Sequence, residues 1–268
     1  ADALRAATGR PVELVEIATT GDIRADVPLH TMGGLGVFVK EVQRAVLDGR
    51  ADLAAHSAKD LPSATADGLV IGAFTERRDP RDALIGSTLA ALADGSTVAS
   101  GSVRRRAQLQ RVRPDLAFAE LRGNIDTRLS KIPADGAIVM AVAALQILEM
   151  TDRITEVLDI EEFVPAVGQG CVAVECRSDD ADTIAALAAV DHGPTRHAVE
   201  VERAFLAELG SGCSLPVGGH VAEGRLHTFL ANLESGVSVS DQIELTGLIE
   251  TDLATARAAA ASVHAAVS

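Results

Sequence analysis

The chain has 268 residues, 47% of them hydrophobic, with 23 glycines and neither Trp nor Tyr, so two or three domains with aliphatic cores are expected. A net charge of −14 argues against nonspecific nucleic-acid binding and makes any local cluster of arginines informative. No apolar run approaches a membrane span, no signal segment is visible, and three cysteines without framework spacing, CxxC or HExxH point to a reducing compartment and to no metal.

A short helix-like fragment opens the sequence, followed by Val12-Glu13-Leu14-Val15-Glu16-Ile17, whose alternation predicts a strand closed by a turn at Thr19-Thr20-Gly21-Asp22. The glycine-rich stretch His30-Thr31-Met32-Gly33-Gly34-Leu35-Gly36 leads into a helix over 38–47, but it matches no dinucleotide or P-loop fingerprint. Residues 51–56 read as a short buried strand. His56-Ser57-Ala58-Lys59-Asp60-Leu61-Pro62 then places polar side chains at that strand's C-terminal end, where α/β proteins bind ligands. A solvated turn is the bland alternative. Another strand is expected over 69–74, and Glu76-Arg77-Arg78-Asp79-Pro80-Arg81-Asp82 reads as a charged crossing and hinge.

Residues 83–165 read as a second α/β unit. A strand at 97–99 runs into Ser100-Gly101-Ser102-Val103-Arg104-Arg105-Arg106 and a helix. Arginines in a helix's first turn oppose its dipole, which suggests a bound anion there. Arg122-Gly123-Asn124 leads into a helix carrying Arg128, and the apolar run 136–142 predicts a strand covered on both faces. Val164-Pro165-Ala166-Val167-Gly168-Gln169-Gly170 is a second break, before a strand at 171–176 and helices at 181–190 and 195–209. Gly210-Ser211-Gly212-Cys213-Ser214-Leu215-Pro216 sets one thiol on a glycine-flanked loop, whereas Cys171 and Cys176 lie in apolar, strand-like surroundings. Three short strands and an alanine-rich helix are expected in the tail.

Phe38-Val39-Lys40-Glu41, His56 to Pro62, Asp79-Pro80-Arg81-Asp82, Ser102-Val103-Arg104-Arg105, Leu121-Arg122-Gly123-Asn124, Thr127-Arg128-Leu129, Val167-Gly168-Gln169-Gly170 and Gly212-Cys213 form an ordered set over nearly the whole chain. That set resembles the hydroxymethylbilane synthase (porphobilinogen deaminase) family. The resemblance implies an α/β fold: two lobes like those of a periplasmic binding protein, plus a small C-terminal α+β domain. The expected division is 1–78 with 167–192, then 79–166, then 193–268.

It also implies a cytoplasmic, monomeric transferase of tetrapyrrole biosynthesis with no membrane or nucleic-acid partner. Its substrate would be porphobilinogen, and its dipyrromethane cofactor would be held as a thioether on Cys213. Asp60 matches the catalytic aspartate. Ser57, Lys59, Ser102, Arg104, Arg105 and Asp22 match cofactor-binding positions, and Arg122, Arg128, Gln169 and Phe38 match substrate-binding positions. The chemistry is coherent with this. Deamination of porphobilinogen leaves an electron-poor cation that a fixed carboxylate stabilises, while acetate and propionate arms suit bidentate guanidinium groups.

The sequence departs from the family in four places. No Arg-x-Ser strand precedes Asp2, Leu35 stands where lysine is common, Ser100-Gly101-Ser102 replaces a Thr-Ser-Ser run with the loss of one hydroxyl, and Ile147 stands where arginine is usual. The rival function is a non-catalytic two-lobed module for anionic ligands, which would use the arginines without needing Cys213 and Asp60 together.

Overall fold

The computed structural model describes residues 1–17, 36–210 and 215–268, with residues 36–38 in backbone only. Helix α1 (Asp2–Thr8) stops at Gly9, whose φ of 67° suits a residue without Cβ. Helix α2 (Gly36–Leu47) turns Val39 and Val46 inward, the latter onto Ala54 and Leu69. Strands β1 (Leu53–Ser57), β2 (Leu69–Phe74), β3 (Asp82–Ile85) and β4 (Thr97–Ala99) follow. Then come α3 (Val103–Val112), β5 (Ala117–Ala119), α4 (Ile125–Leu129), β6 (Ala137–Ala141), α5 (Val142–Ile147) and β7 (Glu156–Val157). The last third contains β8 (Val172–Arg177), α6 (Ala181–Leu187), α7 (Gly193–Glu208), β9 (Val217–Ala222), β10 (Arg225–Ala231), β11 (Ser238–Glu244) and α8 (Ile249–Val267).

These strands form three sheets. The first, in the order β1-β8-β2, is antiparallel. The second runs β5-β4-β6-β3-β7, with β4 parallel to both neighbours and β3 antiparallel to β6 and β7. All five residues of β6 are buried, as its unbroken apolar run requires. The third sheet, β11-β10-β9, is antiparallel and packs Leu226 and Leu230 against Val201 and Phe205 of α7 and Ala256, Ala260 and Val263 of α8. The fold is therefore α/β with a small sheet-and-helix unit at its C-terminal end.

The chain crosses from the first sheet to the second over residues 75–81 and returns over 164–171. The two crossings touch: the Arg78 N–H donates to the Gly170 carbonyl at 2.9 Å. Gly170 has φ 86°, and a Cβ there would lie 2.6 Å from the Arg78 carbonyl oxygen. That close approach is why glycine occupies the position.

One expected strand is absent. Residues 12–17 take no regular structure, and Leu14 is 77% exposed. Alternation does not make a strand without a partner strand, and among the described residues none pairs with this segment. Two strands were not apparent in the sequence: β3, which begins on Asp82, and the two-residue β7. The turn at 19–22 and the glycine-rich stretch before Gly36 lie outside the described residues.

Candidate active site

Ser57 ends β1, and the chain turns tightly through Ala58–Asp60. Ala58 is buried and its N–H donates to the Cys171 carbonyl at 2.9 Å, so the turn is pinned to the returning crossing. Lys59 is left partly accessible and Asp60 exposed. Among the described residues nothing hydrogen-bonds the Asp60 carboxylate.

Across from this turn, Ser102 caps α3, its Oγ accepting from the Arg105 N–H at 3.4 Å. The cap fixes two consecutive arginines in the first turn. Arg104 is buried; its Nη1 lies 2.8 Å from Asp82 Oδ2 and donates to the Val164 carbonyl at 2.7 Å. Arg105 donates from Nε at 3.0 Å and from Nη2 at 2.8 Å to Asp82 Oδ1, and from Nη1 at 3.2 Å to the Val139 carbonyl. The anion expected at this helix start is thus supplied from within the chain, by Asp82 at the head of β3. Nothing in the spacing marks Asp82 beyond its place at the end of Asp79-Pro80-Arg81-Asp82.

Gln169 joins the same group. Its Nε2 donates to the Pro80 carbonyl at 2.6 Å and to Asp82 Oδ1 at 2.8 Å, and its Oε1 accepts from Arg105 Nη2 at 3.4 Å. Its side chain is buried and occupied by protein groups. Beside the second sheet Asn124 caps α4, and Arg128 Nε donates to the Gly123 carbonyl at 2.8 Å.

The charges sense one another. Burial pushes the Lys59 ammonium down to about 8; Arg105 and Arg104 push the same way, against Asp60 and Asp82. Burial also lowers Arg128, with Arg105 and Arg122 adding to the effect and Asp60 opposing it. Burial alone would raise the Asp82 carboxyl, but Arg104 and Arg105 hold it well below the usual carboxylate range. Among the described residues five cations (Lys59, Arg104, Arg105, Arg122 and Arg128) therefore share one region with two carboxylates, Asp60 and Asp82. Among the described residues neither Lys59 nor Arg128 has an ion-pair partner. Among the described residues cations thus outnumber carboxylates here, in a chain whose net charge is −14.

Ser57 and Ser102 border this group without a described contact to its charged side chains. Asp22, Cys213 and the Phe38 side chain lie outside the described residues. Ile147, at the end of α5, is 57% exposed. Cys171 and Cys176 are both buried free thiols. Burial pushes Cys171 up to about 12 and also raises Cys176, so neither supplies thiolate readily near neutral pH.

Fold and charge together define an α/β protein with a cation-rich junction between two sheets and a third, antiparallel unit. Comparison with known proteins narrows this class. Residues 1–185 match the family model described as porphobilinogen deaminase, dipyromethane cofactor binding domain, and residues 197–266 match porphobilinogen deaminase, C-terminal domain. Porphobilinogen deaminase of Nitratidesulfovibrio vulgaris Miyazaki F is 49% identical over 218 residues, 79% of this chain and 68% of its own. The Thermobifida fusca protein of the same name is 46% identical over 255 residues, 92% of this chain and 79% of its own. Among solved structures, the Bordetella pertussis BvgS periplasmic domain aligns at 17% identity and TM-score 0.36, covering 70% of this chain and 33% of its own, too distant to bear on the assignment.

The chain belongs to the porphobilinogen deaminase family. It is accordingly an enzyme, a transferase of tetrapyrrole biosynthesis with a dipyrromethane cofactor-binding domain, and not a non-catalytic binding module. Among the described residues no helix is long and apolar enough to cross a membrane.

Proposed function

We propose that the chain joins four porphobilinogen molecules head to tail on a primer and releases 1-hydroxymethylbilane by hydrolysis. Asp60 stabilises the cation formed when ammonia leaves porphobilinogen, and Lys59, Arg104, Arg105, Arg122 and Arg128 hold the carboxylate arms. The observation that supports this reading most is the surplus of cations around one accessible carboxylate. A substrate with two carboxylates per ring neutralises that surplus, and guanidinium groups present the paired donors such arms need.

Asp60 suits its role because no described group hydrogen-bonds its carboxylate. Its charge is available to the pyrrole as that ring becomes electron-poor, an interaction gained mainly in the transition state.

The same donor set fits a dipyrromethane, which carries carboxylate arms of the same kind. When bound, that group supplies the primer to which incoming rings are joined. Ser57 and Ser102, at the two rims, stand ready to donate hydrogen bonds to its arms, and Asp22 belongs to the same assignment. Phe38 and Gln169 complete the substrate side, Gln169 by orienting Arg105 rather than by direct contact.

We assign the covalent attachment to Cys213, since the other two thiols are buried with their ionisation suppressed. The reading includes a division into 1–78 with 167–192, 79–166, and 193–268, and a cytoplasmic monomer without nucleic-acid or membrane partners.

Intact-mass measurement followed by peptide mapping tests it. The expected result is a dipyrromethane adduct on the peptide containing Cys213 and none on Cys171 or Cys176. Unmodified Cys213 in freshly purified, active enzyme would overturn the assignment.

A further inference from the structure

We infer that Asp82, steadied by Gln169, is a positioning residue that holds Arg104 and Arg105 as a preformed carboxylate-binding pair and ties that pair to both chain crossings between the lobes. The inference rests on the reading of these arginines as carboxylate holders.

Two guanidinium groups on consecutive residues repel each other, and Arg104 is almost fully buried. Without a counter-charge the first would be expelled towards water and the second would swing freely. Asp82 prevents both by using its two oxygens separately. Oδ2 takes Arg104 at 2.8 Å, while Oδ1 takes Arg105 Nε and Nη2 at 3.0 and 2.8 Å. Its own side chain is 1% exposed and its oxygens are taken up by Arg104, Arg105 and Gln169. It therefore acts only through the arginines.

Gln169 fixes Asp82 in turn. Its amide spans the Pro80 carbonyl and Asp82 Oδ1, at 2.6 and 2.8 Å. Pro80 belongs to the outgoing crossing and Gln169 to the returning one, and the Arg78 N–H to Gly170 carbonyl bond of 2.9 Å closes the same junction. Arg104 adds a third link through the Val164 carbonyl at 2.7 Å. The arginine pair and the two crossings thus meet at one carboxylate. A carboxylate arm held by either arginine would therefore act on a group bonded across the two described crossings.

The experiment compares kcat, KM and the pH dependence of KM for Asp82→Asn, Gln169→Met and Arg105→Ala as cofactor-loaded enzymes. Asp82→Asn keeps the shape and removes the charge. KM for porphobilinogen is expected to rise at least about tenfold while kcat changes less than about threefold, because misplaced arginines weaken ground state and transition state alike. The groups facing Lys59 are Asp60, Arg105, Asp82 and Arg104. Loss of the Asp82 charge should therefore also move the alkaline rise in KM to lower pH, which a merely structural role would not do.

Gln169→Met leaves both ion pairs in place and should raise KM by about threefold; it decides the matter if Asp82→Asn does not fold. Folded variants at both positions with wild-type KM and an unmoved pH profile overturn the inference. If Arg105→Ala also leaves KM unchanged, it is the carboxylate-holding role of the arginines that fails. A raised KM in Arg105→Ala beside unchanged Asp82→Asn and Gln169→Met refutes the positioning role alone.

Discussion

Two buried or half-buried groups of charge lie at the junctions of this molecule, and they are balanced in opposite ways. Between the crossings and the C-terminal unit, Glu202 is fully buried. It takes Arg77 through both oxygens at 2.6 and 3.0 Å, His220 Nδ1 at 3.1 Å, and the N–H groups of Gly168 and Val221 at 2.8 Å each. Every strong donor around that carboxylate is spoken for. Between the first and second sheets, among the described residues, Lys59 and Arg128 have no ion-pair partner and Asp60 accepts no hydrogen bond. A saturated group holds parts of a protein together, whereas an unsaturated one of the same residue types waits for a ligand. Residue type alone does not separate the two, but the accounting of partners does.

The largest effect of breaking this contrast is expected on the saturated side. Burial alone would raise the Glu202 carboxyl, yet Arg77 and His220 hold it down at about 2. Glu202→Gln leaves Arg77 with its guanidinium enclosed and its counter-charge gone, an arrangement that costs about 3–5 kcal/mol. Chemical denaturation should show that loss, while the fraction still folded keeps a normal KM. The sign of the pH dependence follows from the lowered carboxyl. Its stabilisation is fully present above the unfolded value of about 4.3 and is lost as pH falls towards about 2. An unaltered denaturation midpoint would show that the junction is held by packing alone.

On the unsaturated side the expected effect falls on chemistry. Asp60→Asn keeps shape and removes charge from an exposed side chain, so the fold should be undisturbed. Steady-state kinetics should show kcat lower by at least about 10²-fold, with porphobilinogen still bound, as for the loss of one group that stabilises transition-state charge. Near wild-type kcat, with intact mass confirming the cofactor, would move the catalytic charge to another residue.

Much of this contrast was legible in the sequence, but unevenly. The strands at 69–74 and 97–99 and the buried run at 137–141 are written in local periodicity, so they could be read directly. Arg104, Arg105, Arg122 and Arg128 stood out because they oppose the charge of the whole chain. Asp82 and Glu202 did not. Each is one acid among 38 in the chain, and what distinguishes it is the set of partners folding brings to it from 18 to 125 residues away. Gln169 reads as a substrate ligand from its motif, yet its amide is consumed by Pro80, Asp82 and Arg105. The alternation at 12–17 failed for the converse reason, since a local pattern carries no information on whether a neighbouring strand is there to pair with it.

The smallest expected effect is also the most diagnostic, because it sets one member of the cation surplus against pH. Burial and the neighbouring Arg105 and Arg104 bring the Lys59 ammonium to about 8, where an exposed lysine titrates near 10.4. Below pH 8 the ammonium is charged and adds to the attraction for carboxylate arms. As pH rises through about 8 it loses its proton while the arginines keep theirs. Substrate affinity should therefore weaken over that interval, seen as a KM rising by severalfold between about pH 7 and 9 with kcat changing less. Lys59→Arg separates this from any other titration: a guanidinium stays charged throughout, so KM should become flat over the same range. Lys59→Gln should give a KM that is flat and high. If the rise in KM persists in Lys59→Arg, the titrating group is not Lys59, and its place among the carboxylate-holding cations is lost.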